Sequence, residues 1–191
     1  EHEGLAGFDI DLDGVEDIVG GGCWFRFMEG RRYQQHVIDG SYVFSRTAAG
    51  QLVEGGRPEL LLVTGEGTGP LVMYEWRKGT WYPKVLLKEI KNGHSLEVAD
   101  MNGDGHADLF VAEMRLDGKN PGACMRVLLG DGMGNFKDRI VAKGFGNHES
   151  RIADLDGDGD PDIVGKPYDW KTPRIDLWFN QSLEKKLKND E

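Results

Sequence analysis

The sequence predicts an all-β fold made of four repeated units of about four strands each, and three observations carry that expectation. A nine-residue loop built on Asp and Gly returns along the chain, each copy runs straight into a short apolar segment, and turn residues divide the remainder into short alternating runs. The loop reads Asp9-Ile-Asp-Leu-Asp-Gly-Val-Glu-Asp17 in the first copy, Asp100-Met-Asn-Gly-Asp-Gly-His-Ala-Asp108 in the third and Asp154-Leu-Asp-Gly-Asp-Gly-Asp-Pro-Asp162 in the fourth. A decayed second copy, Gln51-Leu-Val-Glu-Gly-Gly-Arg-Pro-Glu59, keeps the glycine and the apolar run that follows but not the acidic positions.

The copies begin at positions 9, 51, 100 and 154, a spacing of about 40 to 55 residues, which suits a four-stranded β-propeller blade with variable loops. In the third unit the alternation predicts strands over His94–Ala99, Asp108–Glu113, Arg126–Leu129 and Phe136–Ala142. Third strands recur at Cys23–Phe27, Leu71–Trp76 and Arg174–Phe179, and fourth strands at Tyr33–Ile38 and Trp81–Leu87. Trp24, Trp76 and Trp178 are expected at matching third-strand positions, packing between units. The Gly130–Phe136 segment carries glycines, but not at phosphate-loop spacing, and reads as a strand-joining turn. The units span residues 1–40, 41–90, 91–143 and 144–182, and a polar tail, 183–191, offers no outer strand to the last of them. Propellers whose repeats resemble these commonly have about seven blades, within the roughly four to eight typical of the architecture. Four units therefore predict further blades from a longer chain or from another copy, with the open edges inviting pairing.

With 191 residues, 39% of them hydrophobic, the chain can bury a core. A net charge of −10 repels a phosphate backbone, which excludes nucleic acid as a partner. No apolar run approaches the roughly 20 residues of a membrane helix, so membrane insertion is not expected. The chain opens on Glu1 with no basic-then-apolar leader, as expected of a processed chain or a fragment. Cys23 and Cys124 make no disulfide framework or zinc motif and are expected as buried thiols.

The loop chemistry points to calcium, which takes six to eight hard oxygen ligands; carboxylates at alternate positions with glycine at the sixth can wrap them around one ion. The donors are Asp9, Asp11, Asp13, Asp17 and the Val15 carbonyl in the first loop, and Asp100, Asn102, Asp104, Asp108 and the His106 carbonyl in the third unit. In the fourth they are Asp154, Asp156, Asp158, Asp162 and the Asp160 carbonyl. That makes about three Ca2+ sites. An EF-hand begins alike but ends on Glu and enters a helix, whereas Asp17, Asp108 and Asp162 each open a β-type run. Solvated acidic turns without metal are the blander alternative.

The loop followed by a strand, together with Phe145-Gly146, resembles the FG-GAP and VCBS repeats of integrin α-subunit propellers and many secreted bacterial proteins. A literal Gly-Ala-Pro is missing, and the second unit lacks the metal pattern. The resemblance implies ligand recognition on the face opposite the metal loops. Millimolar extracellular calcium further suits a secreted or periplasmic protein. The candidates on that face are Arg46, His94, Glu113, Arg115, His148, Lys166, Tyr168 and Trp170. Three functions follow as expectations. The first is a module binding an extracellular polysaccharide or glycoconjugate, with Trp170 as stacking platform. The second resembles a propeller-fold polysaccharide lyase, with a His (His94 or His148) or a Tyr as base, Tyr168 as proton donor and Arg115 or Lys166 neutralising a uronate. The third is a calcium-rigidified spacer.

Overall fold

The computed structural model describes residues 4–115, 119–168 and 174–181. Fifteen strands and no helix occur among the described residues, arranged as four antiparallel sheets in chain order. The first sheet is β1 (Ala6–Phe8), β2 (Asp17–Gly20), β3 (Cys23–Glu29) and β4 (Arg32–Val37). The second is β5 (Ser45–Gly50), β6 (Glu59–Thr64), β7 (Thr68–Arg77) and β8 (Thr80–Lys91). The third is β9 (Gly93–Ala99), β10 (Asp108–Glu113), β11 (Cys124–Gly130) and β12 (Phe136–Lys143). The fourth holds β13 (Glu149–Ala153), β14 (Asp162–Lys166) and β15 (Asp176–Trp178). Each sheet is a meander in which neighbours in sequence are neighbours in space. The tail expected at 183–191 lies outside the described residues.

All four repeat loops occupy the same place in their sheets. Each joins the first strand to the second and is closed by one strand pair: Phe8 with Asp17, Gly50 with Glu59, Ala99 with Asp108, and Ala153 with Asp162. The decayed copy is thus structurally equivalent to the others.

The sheets stack face to face, and three apolar clusters fill the gaps between consecutive ones. Val19, Trp24, Leu60, Leu62, Val72 and Tyr74 lie between the first and second sheets. Leu61, Val63, Leu71, Met73, Leu109, Val111 and Leu128 lie between the second and third. Phe110, Ala112, Met125, Val127 and Ile163 lie between the third and fourth. Successive residues of a strand face opposite sides, so β6 sends Leu60 and Leu62 one way and Leu61 and Val63 the other. This is why Glu59–Val63 and Asp108–Ala112 are buried end to end and read as unbroken apolar runs.

The pairing register corrects one expectation. Trp24 lies opposite Val19, two residues past the closing Asp17, whereas Trp178 lies opposite Ile163, one residue past Asp162. A one-residue offset turns a side chain to the other face, so Trp24 packs toward the following sheet and Trp178 toward the preceding one. Trp81 meets both Trp24 and Trp76 edge-on, with ring centroids 6.4 Å and 5.1 Å apart, and Arg57 stacks with its guanidinium 5.6 Å from the Trp24 and 4.7 Å from the Trp76 ring centroid. Cys23 and Cys124 are buried free thiols on different sheets.

Candidate functional site

The acidic loops are built by their own backbone. The position-one carboxylates accept amide hydrogens from the far side of the turn: Asp9 from Asp13 and Gly14, Asp100 from Gly103, Asp104 and Gly105, and Asp154 from Gly157 and Gly159. The fifth position repeats a smaller turn, with Asp13, Asp104 and Asp158 accepting from the amides of Val15, His106 and Asp160. The glycine at position six has φ of +88°, +88° and +93° in the three loops, the left-handed region where glycine alone is unstrained. Position four also turns left-handed, with glycine at Gly103 and Gly157 but Leu12, at φ 62°, in the first loop.

The closing aspartates are buried braces. Asp17 accepts from Trp24 Nε1 at 2.9 Å and the Phe27 amide at 2.7 Å. Asp108 accepts from the amides of Met101 and Gly130, and Asp162 from those of Leu155 and Asn180. Glu59 does the same for Leu52 and Val53 in the decayed loop. Burial pushes the Asp108 and Glu59 carboxyls above their ordinary range against the pull of these amides. A carboxylate offers about four lone-pair positions, so two amides leave room for a cation.

Carboxylate oxygens of Asp9, Asp11 and Asp13 gather within 4.8 Å of one another, as do those of Asp154, Asp156 and Asp162. The Asp11 side chain is only 6% exposed, and its Oδ1 is buried without a hydrogen-bond donor. In the third unit Asn102 donates to Asp104, and the His106 ring faces Glu54 of the second sheet at 3.7 Å. The decayed loop is latched to the third sheet instead, through the Glu54 amide on the Gly132 carbonyl and a bridge between Val53 and Met133.

The opposite end of the sheets carries the remaining candidates, and three of them form one stack. The rings of His94 and His148 lie 5.1 Å apart and those of His148 and Tyr168 5.2 Å apart. His94 is 1% exposed and stands 3.4 Å from Glu66, so it supports the stack from below. Arg46 pairs with Glu149 at 3.1 Å and reaches the His148 carbonyl at 3.5 Å. Arg115 donates to the Gly144 carbonyl and exposed Lys166 to that of Pro167. Glu113 is not on this surface: it is buried, and its two oxygens accept from the Lys91 and Cys124 amides. Trp170 lies outside the described residues. Glu66, two residues beyond the end of β6, was not among the residues expected there.

Arg46, His94, Glu97, Glu149 and Arg151 line a cavity of about 340 Å³ between the first strands of the sheets. Arg151 bridges Glu97 and Glu149 there at 2.9 and 2.7 Å.

Residues 56–111 match the family model of the FG-GAP-like repeat. The match runs from the decayed loop through the second sheet and the third acidic loop into β10, in agreement with the resemblance drawn from the loops. No curated protein matches the chain.

Proposed function

We propose that the chain is a calcium-binding β-propeller module, secreted or periplasmic, whose end opposite the acidic loops recognises an acidic extracellular glycan. The observation that carries the calcium reading is the Asp11 carboxylate, with a buried, donorless oxygen inside a cluster of like charges. Such an oxygen is costly unless a cation meets it. Carboxylates and carbonyls on a flexible loop suit calcium better than magnesium, which demands a tight octahedron. Asp9, Asp11, Asp13 and Asp17 with the Val15 carbonyl hold the first ion. Asp100, Asn102, Asp104 and Asp108 with the His106 carbonyl hold the second. Asp154, Asp156, Asp158 and Asp162 with the Asp160 carbonyl hold the third.

The stacking of sheets in chain order supports reading them as blades, since their first strands pack in series, β1 on β5, β5 on β9 and β9 on β13. The outer faces of the first and fourth sheets, where Val37 and Leu177 are exposed, then meet further blades from a longer chain or another copy. At the opposite end, Tyr168 offers an aromatic surface, and Lys166 and Arg115 offer cations that hydrogen-bond a uronate or sulfate.

Calcium titrated calorimetrically into chelator-stripped protein should bind at about three sites, and chelation should lower the melting temperature, because an ion that binds only the native state stabilises it. No uptake, or melting indifferent to chelator, refutes the metal reading. Lys166→Ala and Arg115→Ala should each weaken binding to a uronate-rich polysaccharide and leave a neutral one unaffected. The contact between His148 and Tyr168 favours one second reading, a lyase in which they act as base and proton donor. Unsaturated uronate product that disappears in His148→Ala would establish it.

A further inference from the structure

We propose that Arg26 is a built-in counter-cation of the first acidic loop, which calcium must displace, so that this loop is the weakest of the three calcium sites. The inference rests on the calcium reading above. Arg26 lies on β3 and pairs through Nε with Asp11, and through Nη2 with Asp13 at 3.4 Å. These are two of the three carboxylates that cluster in that loop. One oxygen of Asp11 is therefore neutralised by the guanidinium while the other is buried and without a donor. The loop is built for a cation and is half satisfied by an internal one.

Among the described residues, the pairing register gives this arrangement to the first of the three loops alone. The residue following each closing aspartate lies opposite Phe25, Leu128 or Trp178 on the third strand of its sheet. One position further along stand Arg26, Leu129 and Phe179. The corresponding residue of the second sheet, whose loop has lost its carboxylates, is Glu75. The cation thus accompanies an acidic loop only in the first sheet. With its side chain 38% exposed, Arg26 has solvent into which to swing when an ion enters.

A charge of +1 held about 6 Å from a doubly charged ion in water opposes it by about 1.4 kcal/mol, which is tenfold in affinity. Arg26→Leu, which installs the residue found in the third sheet, should therefore tighten one calcium site about tenfold and leave the other two unchanged. The gain should shrink as salt rises. Asp9→Asn made alongside Arg26→Leu should remove that site and the gain with it.

Stability supplies a readout that simple loss of packing cannot imitate. With chelator present Arg26→Leu should melt below the native protein, because the loop has lost its internal cation. With saturating calcium the difference should vanish or reverse. Arg26→Gln, which keeps a polar side chain on the strand, should behave like the leucine variant. If both variants bind calcium as the native chain does, or melt lower by the same margin with and without calcium, the Arg26 assignment fails and the calcium reading stands. If neither they nor the native chain take up calcium, both fall.

Discussion

Leu12 is the one residue of the acidic loops whose conformation contradicts its chemistry. It is a branched side chain in the left-handed region, which costs roughly 1–2 kcal/mol for an L residue, partly offset because glycine in its place loses more backbone entropy on folding. Leu12 is 58% exposed, so little burial is lost with it. Leu12→Gly should leave stability unchanged or raise it by up to about 1 kcal/mol, read from chemical denaturation in chelator. A second residue-scale case links two sheets: the Tyr74 hydroxyl donates to Asp39 Oδ2 at 2.6 Å. Burial alone would raise the Asp39 carboxyl, but hydrogen bonds from Ser41 and Tyr74 outweigh it and hold it below the ordinary range. A depressed folded pKa contributes stability above the unfolded carboxylate range and loses it as pH falls through the folded value. Tyr74→Phe should thus cost about 1 kcal/mol near neutral pH, given the partial exposure of Asp39, and progressively less below about pH 4. A constant difference across that window in pH-dependent denaturation would exclude the assignment.

At the scale of the element, the brace that closes each loop is the recurrent device, and it survives where the acidic loop does not. Glu59 is 3% exposed and holds the amides of Leu52 and Val53. Removing it strands two donors, at a cost of about 1–3 kcal/mol each. Glu59→Ala should therefore destabilise by roughly 2–6 kcal/mol, with no change in calcium stoichiometry. The strands were legible in the sequence because the Asp/Gly loops punctuate them and alternation fixes their period. Asp108–Glu113 was anticipated residue for residue. What alternation could not disclose was the phase between sheets: Trp24 and Trp178 look equivalent along the chain, yet a single residue of register sends them to opposite faces. Glu113 was misplaced for a related reason. Its position after the apolar run suggested the rim, but the backbone there turns it inward to satisfy two amides. The stack of His94, His148 and Tyr168 was half readable, since His94 and His148 each stand six residues before the first aspartate of their loop, Asp100 and Asp154, which puts them at equivalent points. Their ring contact depended on how neighbouring sheets are packed, which spacing does not encode.

For the whole molecule, charge and packing pull in different directions. The chain carries −10, much of it crowded into three turns at one end of the sheets, and self-repulsion of that kind opposes compaction. Three divalent ions would relieve more than half of it. The apolar clusters are distributed otherwise, one to each gap, and the gap between the second and third sheets is reinforced by Lys84 on the Gly134 carbonyl and by the Val53–Met133 bridge. That latch has a mechanical meaning. Among the described residues the second and third sheets each carry an apolar cluster on both faces, and the latch joins these two to each other. Pulled apart, the second and third sheets would have to give up core and latch together, so that pair should slide as one rigid unit.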